Sequence, residues 1–180
     1  FAAAKETILI FFSKYLRNKI QFIAHFLLLC VWFYRCMSKN ILIFASGEGT
    51  NAENIVRYFD NNQNVNVKMI LCNRHKAGVL LRAAKLGVPA RCFSRDDLYE
   101  NNVVFDILKD LHTDLIVLSG FMMLMPPSIL SVYHNRIVNI HPALLPKYGG
   151  KGMYGMHVHE AVKAGGEKES GITIHYVNAK

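Results

Sequence analysis

Asn139 and His141 stand two residues apart in the stretch VNIHPALLPKYGG, Val138 to Gly150. Side chains alternate along an extended chain, so the amide and the imidazole project to one side and Ile140 to the other. An amide N–H can stabilise a developing oxyanion, and an imidazole can carry a proton. Acyl transfer to an amine needs both functions, because the tetrahedral adduct has an O⁻ to stabilise and a proton to move from the attacking nitrogen. Pro142 lacks the N–H that strand pairing requires, and Pro146 with Gly149 and Gly150 shapes the loop beyond. The competing reading is a structural histidine hydrogen-bonded to backbone.

A second candidate is SGEGTN, Ser46 to Asn51, between an apolar run and an amphipathic one. Gly47 and Gly49 allow a tight turn and a close approach of a ligand to backbone N–H groups. A helix N-terminus behind them would favour a phosphate. The pattern is neither G-x-G-x-x-G nor a P-loop, so a plain strand-to-helix turn capped by Thr50 or Asn51 competes with the phosphate reading. Met122, Met123 and Met125 follow another apolar run and could line an aromatic ligand's pocket or fill the core. His157 and His159, at i and i+2 on a helix, do not share a face and make no metal pair. No nucleophile elbow, H-E-x-x-H or cysteine–histidine pattern is present, and no metal site is expected. His175 faces the same way as Thr173 and Val177, with no role assigned.

The elements that must position these groups alternate in type. ILIFAS (41–46), VNVKMILCN (65–73), VPARCF (88–93), DLIVLSGF (114–121), RIVNIHP (136–142) and SGITIHYV (170–177) are apolar runs of strand length. Between them NAENIVRYFDNN, AGVLLRAAKLG, SRDDLYENNVVFDILKDLH, PPSILSVY and YGMHVHEAVKAG predict helices, the third as one helix over 94–112 with Ser94 at its N-cap. The pattern predicts an α/β, Rossmann-like fold, a mostly parallel sheet covered by helices on both faces. In such sheets ligands bind at the carboxyl ends of the strands, where the motifs fall.

The 180 residues are 52% apolar and 19% charged, as in a globular domain. The net charge of +8 is unevenly spread. Lys5, Lys14, Arg17, Lys19 and Arg35 against Glu6 put half of it in the first 38 residues. The remainder shows no basic cluster with interleaved aromatics, which disfavours nucleic acid and suits a small anionic ligand. Cys30, Cys36, Cys72 and Cys92 form no C-x-x-C pair, so free thiols in a reducing, cytoplasmic setting are expected. The apolar stretch from Ile20 to Tyr34 is shorter than the ~20 residues that span a bilayer. Met37-Ser38-Lys39-Asn40 resembles an ordinary start before a first strand. Residues 1–36 are therefore expected to be extraneous to a domain over 37–180, forming an apolar helix or helix pair if present.

From Lys39 onward the chain resembles the phosphoribosylglycinamide formyltransferases, folate-dependent enzymes of purine synthesis. The resemblance rests on ILIFASGEGTN, LSGFMMLMPP, VNIHPALLPKYGGKGMYGMHVHEAV and ESGITIHYV, in that order. It implies the formyltransferase fold and formyl transfer from 10-formyltetrahydrofolate to the amine of 5-phosphoribosylglycinamide. It implies that Gly49, Thr50 and Asn51 hold the phosphate. It implies that Arg82 and the segment Met122, Met123, Leu124 and Met125 contact the folate. Asn139 would stabilise the oxyanion beside the folate, and His141 would act as general acid and proton relay. One branch of the family has Arg at the place of Met123, so only a backbone contact there survives the change. The family also has an Asp a few residues after the GITIHYV strand, and none of the aspartates from Asp60 to Asp114 suits that place. The 180 residues alone are therefore expected to turn over poorly. Other readings are a formyltransferase of the same fold acting on methionyl-tRNA or a sugar amine, a formyltetrahydrofolate hydrolase, a non-catalytic nucleotide-binding domain and a membrane-anchored protein.

Overall fold

The computed structural model describes residues 38–150, 152, 153 and 155–178. The helix or helix pair expected within residues 1–36 lies outside them. Six strands alternate with helices: β1 (Lys39–Ala45), α1 (Thr50–Phe59), β2 (Val65–Cys72), α2 (Gly78–Lys85), β3 (Ala90–Cys92), α3 (Arg95–Tyr99), α4 (Val103–Asp110), β4 (Leu115–Ser119), α5 (Pro127–Val132), β5 (Ile137–His141), α6 (Met156–Ala164) and β6 (Thr173–Tyr176).

The strands form one sheet in the order β3-β2-β1-β4-β5-β6. All neighbours are parallel except β5 and β6, which run antiparallel. Alternation along the central strands sends their side chains to two cores. Ile41, Ile43 and Ala45 of β1 meet Ala52 and Val56 of α1 and Val79 and Ala83 of α2. Leu42 and Phe44 meet Leu98 of α3, Val104 and Leu108 of α4, and Ile129 of α5. The central strands are apolar on both faces because helices cover both. Each fully buried Leu, Ile or Phe contributes roughly 1.5–3 kcal/mol.

The structure corrects one element. The single helix expected over residues 94–112 is two, α3 and α4. Asn102 takes a left-handed conformation, φ 56°, immediately before α4. Asparagine tolerates that region, and the Asn101-Asn102 pair is a poor helix interior. Ser94 does cap α3: its Oγ accepts from the Asp97 N–H at 3.1 Å, and the Asp97 carboxylate accepts from the Ser94 N–H at 2.8 Å.

Strand order reverses at β1 and β4, with β2 and β3 on one side and β5 and β6 on the other. The loops that leave these two central strands are stitched together. The Ser46 N–H donates to the Gly120 carbonyl at 3.3 Å, and the Met122 N–H donates to Ser46 Oγ at 3.1 Å. No helix among the described residues is long and apolar enough to cross a membrane.

Candidate active site

β5 sits beside β4, with Asn139 opposite Leu118 and Ile140 opposite Ser119 in the register. Val138 and Ile140 pack toward the core under α1 and α2, while Ile137 belongs to the other core. Alternation therefore puts Asn139 and His141 together on the side of Ile137. Across the antiparallel pairing, His175 lies opposite Asn139 and Thr173 opposite His141.

Asn139 is half-buried, and its Nδ2 lies 3.1 Å from His175 Nε2. An amide nitrogen only donates, so Nε2 accepts. His175 Nδ1 lies 3.1 Å from the Tyr176 carbonyl, which only accepts, so Nδ1 carries the proton. The two contacts select one neutral tautomer of His175. They fix the Asn139 amide with one Nδ2 hydrogen committed and the second free to serve an oxyanion.

His141 is buried, 8% exposed. Its Nε2 lies 2.8 Å from the Tyr148 carbonyl, so Nε2–H donates and Nδ1 keeps the lone pair of the neutral ring. Backbone support of this kind is what a structural histidine has. It also fixes the ring for proton transfer, so the bond by itself favours neither role.

The loop that carries Tyr148 is held from two directions. Thr173 Oγ1 accepts from the Leu145 N–H at 3.0 Å and donates to the Ala143 carbonyl at 2.7 Å. Glu167 accepts from Lys147 Nζ at 3.0 Å and from the Tyr148 hydroxyl at 2.8 Å. Lys147 and then Tyr148 hold the Glu167 carboxyl below the usual carboxylate range.

On the other side of the strand-order reversal, the glycine loop enters α1. The helix N-cap is Gly49 at φ 77°, with no side-chain cap. Thr50 and Asn51 are the first two helical residues, so the capping expected of them under the plain-turn reading is absent. Glycine is needed at 49 twice over: the left-handed backbone disfavours a side chain, and a Cβ there would strike Val79 of α2.

The folate-segment candidates divide. Met125 is buried in the core and Met123 packs against it, while Met122 and Leu124 face outward. The Leu124 carbonyl accepts from the Tyr99 hydroxyl at 2.8 Å, and Arg74 reaches Met122 Sδ at 3.5 Å. Arg82 on α2 is committed to the glycine loop: Nε–H donates to the Glu48 carbonyl at 2.8 Å, and NH1 pairs with Glu53 of α1. Hydrogen bonds from Arg57 first, then Arg82, hold the Glu53 carboxyl below its usual range. Among the described residues no group of three or more His, Cys, Asp or Glu could hold a metal ion.

Sequence pattern alone does not mark Thr173 or Tyr148 as site residues and gives His175 no role. The SGITIHYV run reads as a strand, but what it pairs with is set by a register 30 or more residues distant, which local pattern does not encode.

The glycine loop and the Asn–His strand end both lie at the carboxyl edge of a mostly parallel α/β sheet, the edge at which such sheets bind ligands. The formyl transferase family matches residues 39–180, and the chain belongs to that family. It is 37% identical over 147 residues to the chloroplastic phosphoribosylglycinamide formyltransferase of Arabidopsis thaliana, covering 78% of this chain and 50% of that protein. It is 36% identical over 146 residues to the phosphoribosylglycinamide formyltransferase of Bacillus subtilis (strain 168), covering 78% of this chain and 72% of that protein. The crystal structure of glycinamide ribonucleotide transformylase 1 from Geobacillus kaustophilus superposes with TM-score 0.69 at 38% identity. It covers 79% of this chain and 76% of that one. The chain spans about half the length of the plant relatives it matches.

Proposed function

We propose that the protein transfers the formyl group of 10-formyltetrahydrofolate to the amine of 5-phosphoribosylglycinamide, a step of purine synthesis. The observation that carries this reading is the pairing of Asn139 and His141 on one side of β5, at the strand end, within a chain of this family. The amine attacks the formyl carbon and the carbonyl oxygen becomes an oxyanion. The free Nδ2–H of Asn139 donates to it. His141 moves the proton from the attacking nitrogen toward the leaving nitrogen of the folate, and the C–N bond to the folate breaks.

Gly49, Thr50 and Asn51 present backbone N–H groups of the α1 N-terminus to the substrate phosphate. The backbone of Met122–Met125 lies against the folate ring system, which suits a segment whose Met123 and Met125 side chains turn to the core. The catalytic domain begins near Met37, in keeping with a family match from residue 39, and residues 1–36 lie outside it. The partners are small molecules rather than nucleic acid or membrane. The setting is cytoplasmic, in keeping with the free thiols of Cys72 and Cys92.

The test is acceptor choice. Protein purified from its native source is offered 10-formyltetrahydrofolate with 5-phosphoribosylglycinamide, methionyl-tRNA or water alone, and formylated product is read by mass spectrometry. Formylated phosphoribosylglycinamide as the dominant product supports the reading. Formyl-methionyl-tRNA, or free formate at the same rate without acceptor, refutes it.

A further inference from the structure

Three residues of α2 hold the three loop residues Gly47, Glu48 and Gly49. The Val79 N–H donates to the Gly47 carbonyl at 3.1 Å, and Arg82 Nε–H donates to the Glu48 carbonyl at 2.8 Å. Gly49 packs its bare Cα against Val79, and the Glu48 carboxylate lies against Gly78. The second arm of Arg82 pairs with Glu53, one turn into α1, and Glu53 also binds Arg57 at 2.8 Å. One guanidinium therefore joins the loop, the helix after it and the helix beneath it.

This has a directional consequence. In a trans peptide the C=O of one residue and the N–H of the next point opposite ways. The Gly47 and Glu48 carbonyls are both drawn to α2, so the Glu48 and Gly49 N–H groups face away from it. Among the described residues neither has an acceptor. The first-turn N–H groups of α1 follow directly, with no side-chain acceptor at the N-cap, so successive backbone donors on this stretch are left without partners among the described residues, and such donors suit an anion.

We propose that Arg82 is a positioning residue for the phosphate loop: by holding the Glu48 carbonyl and Glu53 together, it aims the Glu48 and Gly49 N–H groups at the substrate phosphate. This rests on the reading of the loop as the phosphate site. It differs from a role for Arg82 in contacting the folate, which its commitments at Glu48 and Glu53 do not favour.

The experiment uses the full chain and two probes, 5-phosphoribosylglycinamide and the same compound without its phosphate, titrated by calorimetry; 10-formyltetrahydrofolate is titrated separately. The variants are Arg82→Met and Arg82→Lys; Lys keeps a charge near Glu53 but lacks the fork that reaches both partners. Wild type is expected to prefer the phosphorylated probe by about 100-fold or more. Arg82→Met is expected to weaken the phosphorylated probe about 10-fold or more and leave the dephosphorylated probe and the folate within about threefold. Arg82→Lys is read the same way if the Met variant does not fold. Undiminished phosphate preference in a folded variant overturns the role of Arg82 alone. Equal loss for both probes, or loss for the folate, also overturns it. A wild type indifferent to the phosphate overturns the reading of the loop itself.

Discussion

Replacing Thr173 with valine removes one oxygen and keeps the side-chain shape. That oxygen bridges β6 to the loop at Ala143 and Leu145: it accepts from the Leu145 N–H at 3.0 Å and donates to the Ala143 carbonyl at 2.7 Å. Both bonds are partly buried, and each such bond contributes about 1 kcal/mol net. Their joint loss costs about 2 kcal/mol locally, which raises the open population of the loop about 30-fold at 1.4 kcal/mol per tenfold. Hydrogen exchange at the Leu145 amide, followed by NMR, reads this population directly. Thr173→Val should accelerate Leu145 exchange about 30-fold, whereas Thr173→Ser, which keeps the hydroxyl, should stay within about threefold. The same loop carries the Tyr148 carbonyl that holds His141, so turnover should fall in the valine variant with substrate binding less affected. Unchanged exchange at Leu145 in Thr173→Val, or equal acceleration in Val and Ser, would refute the reasoning.

Gly49→Ala combines a left-handed backbone with a collision against Val79, and should cost about 2 kcal/mol or more in urea denaturation. Adding Val79→Ala should recover little of that cost, because the Cβ and Cα of residue 79 also stand in the way of the new side chain and alanine keeps both; a double variant restored to wild-type stability contradicts this. Glu167 has a lowered folded pKa, so its contribution is fully present above its unfolded value, about 4.3, and is lost as pH falls through the folded value. Glu167→Gln should therefore be less stable than wild type at neutral pH, with the gap closing in acid; urea midpoints against pH check it, and a pH-independent gap contradicts it.

The strands were legible because a sheet covered on both faces writes itself as continuous apolar runs. ILIFAS and LIVLS have few other interpretations, and the Asn139–His141 pair followed from strand alternation alone. What was not legible is non-local. The break at Asn102 depends on a left-handed residue whose need is set by how α3 and α4 pack, not by the periodicity of either. The glycine-loop cap was sought in Thr50 and Asn51, whereas Gly49 takes that place because α2 comes too close for a Cβ. Arg82 lies on a helix whose sequence says nothing of Glu48 or Glu53, 34 and 29 residues away. Likewise the tautomer of His175 is set by Asn139, 36 residues earlier, through a register that only the folded sheet defines.

The most direct measurement is single-turnover formyl transfer from 10-formyltetrahydrofolate to 5-phosphoribosylglycinamide by the protein expressed from its native gene, as wild type, Asn139→Ala and His141→Ala, with acceptor binding titrated in parallel. The account predicts transfer by the wild type, a loss of about 10²–10⁴-fold in each variant, and acceptor affinity within about threefold of wild type in both. Transfer at the wild-type rate by His141→Ala or Asn139→Ala would contradict it.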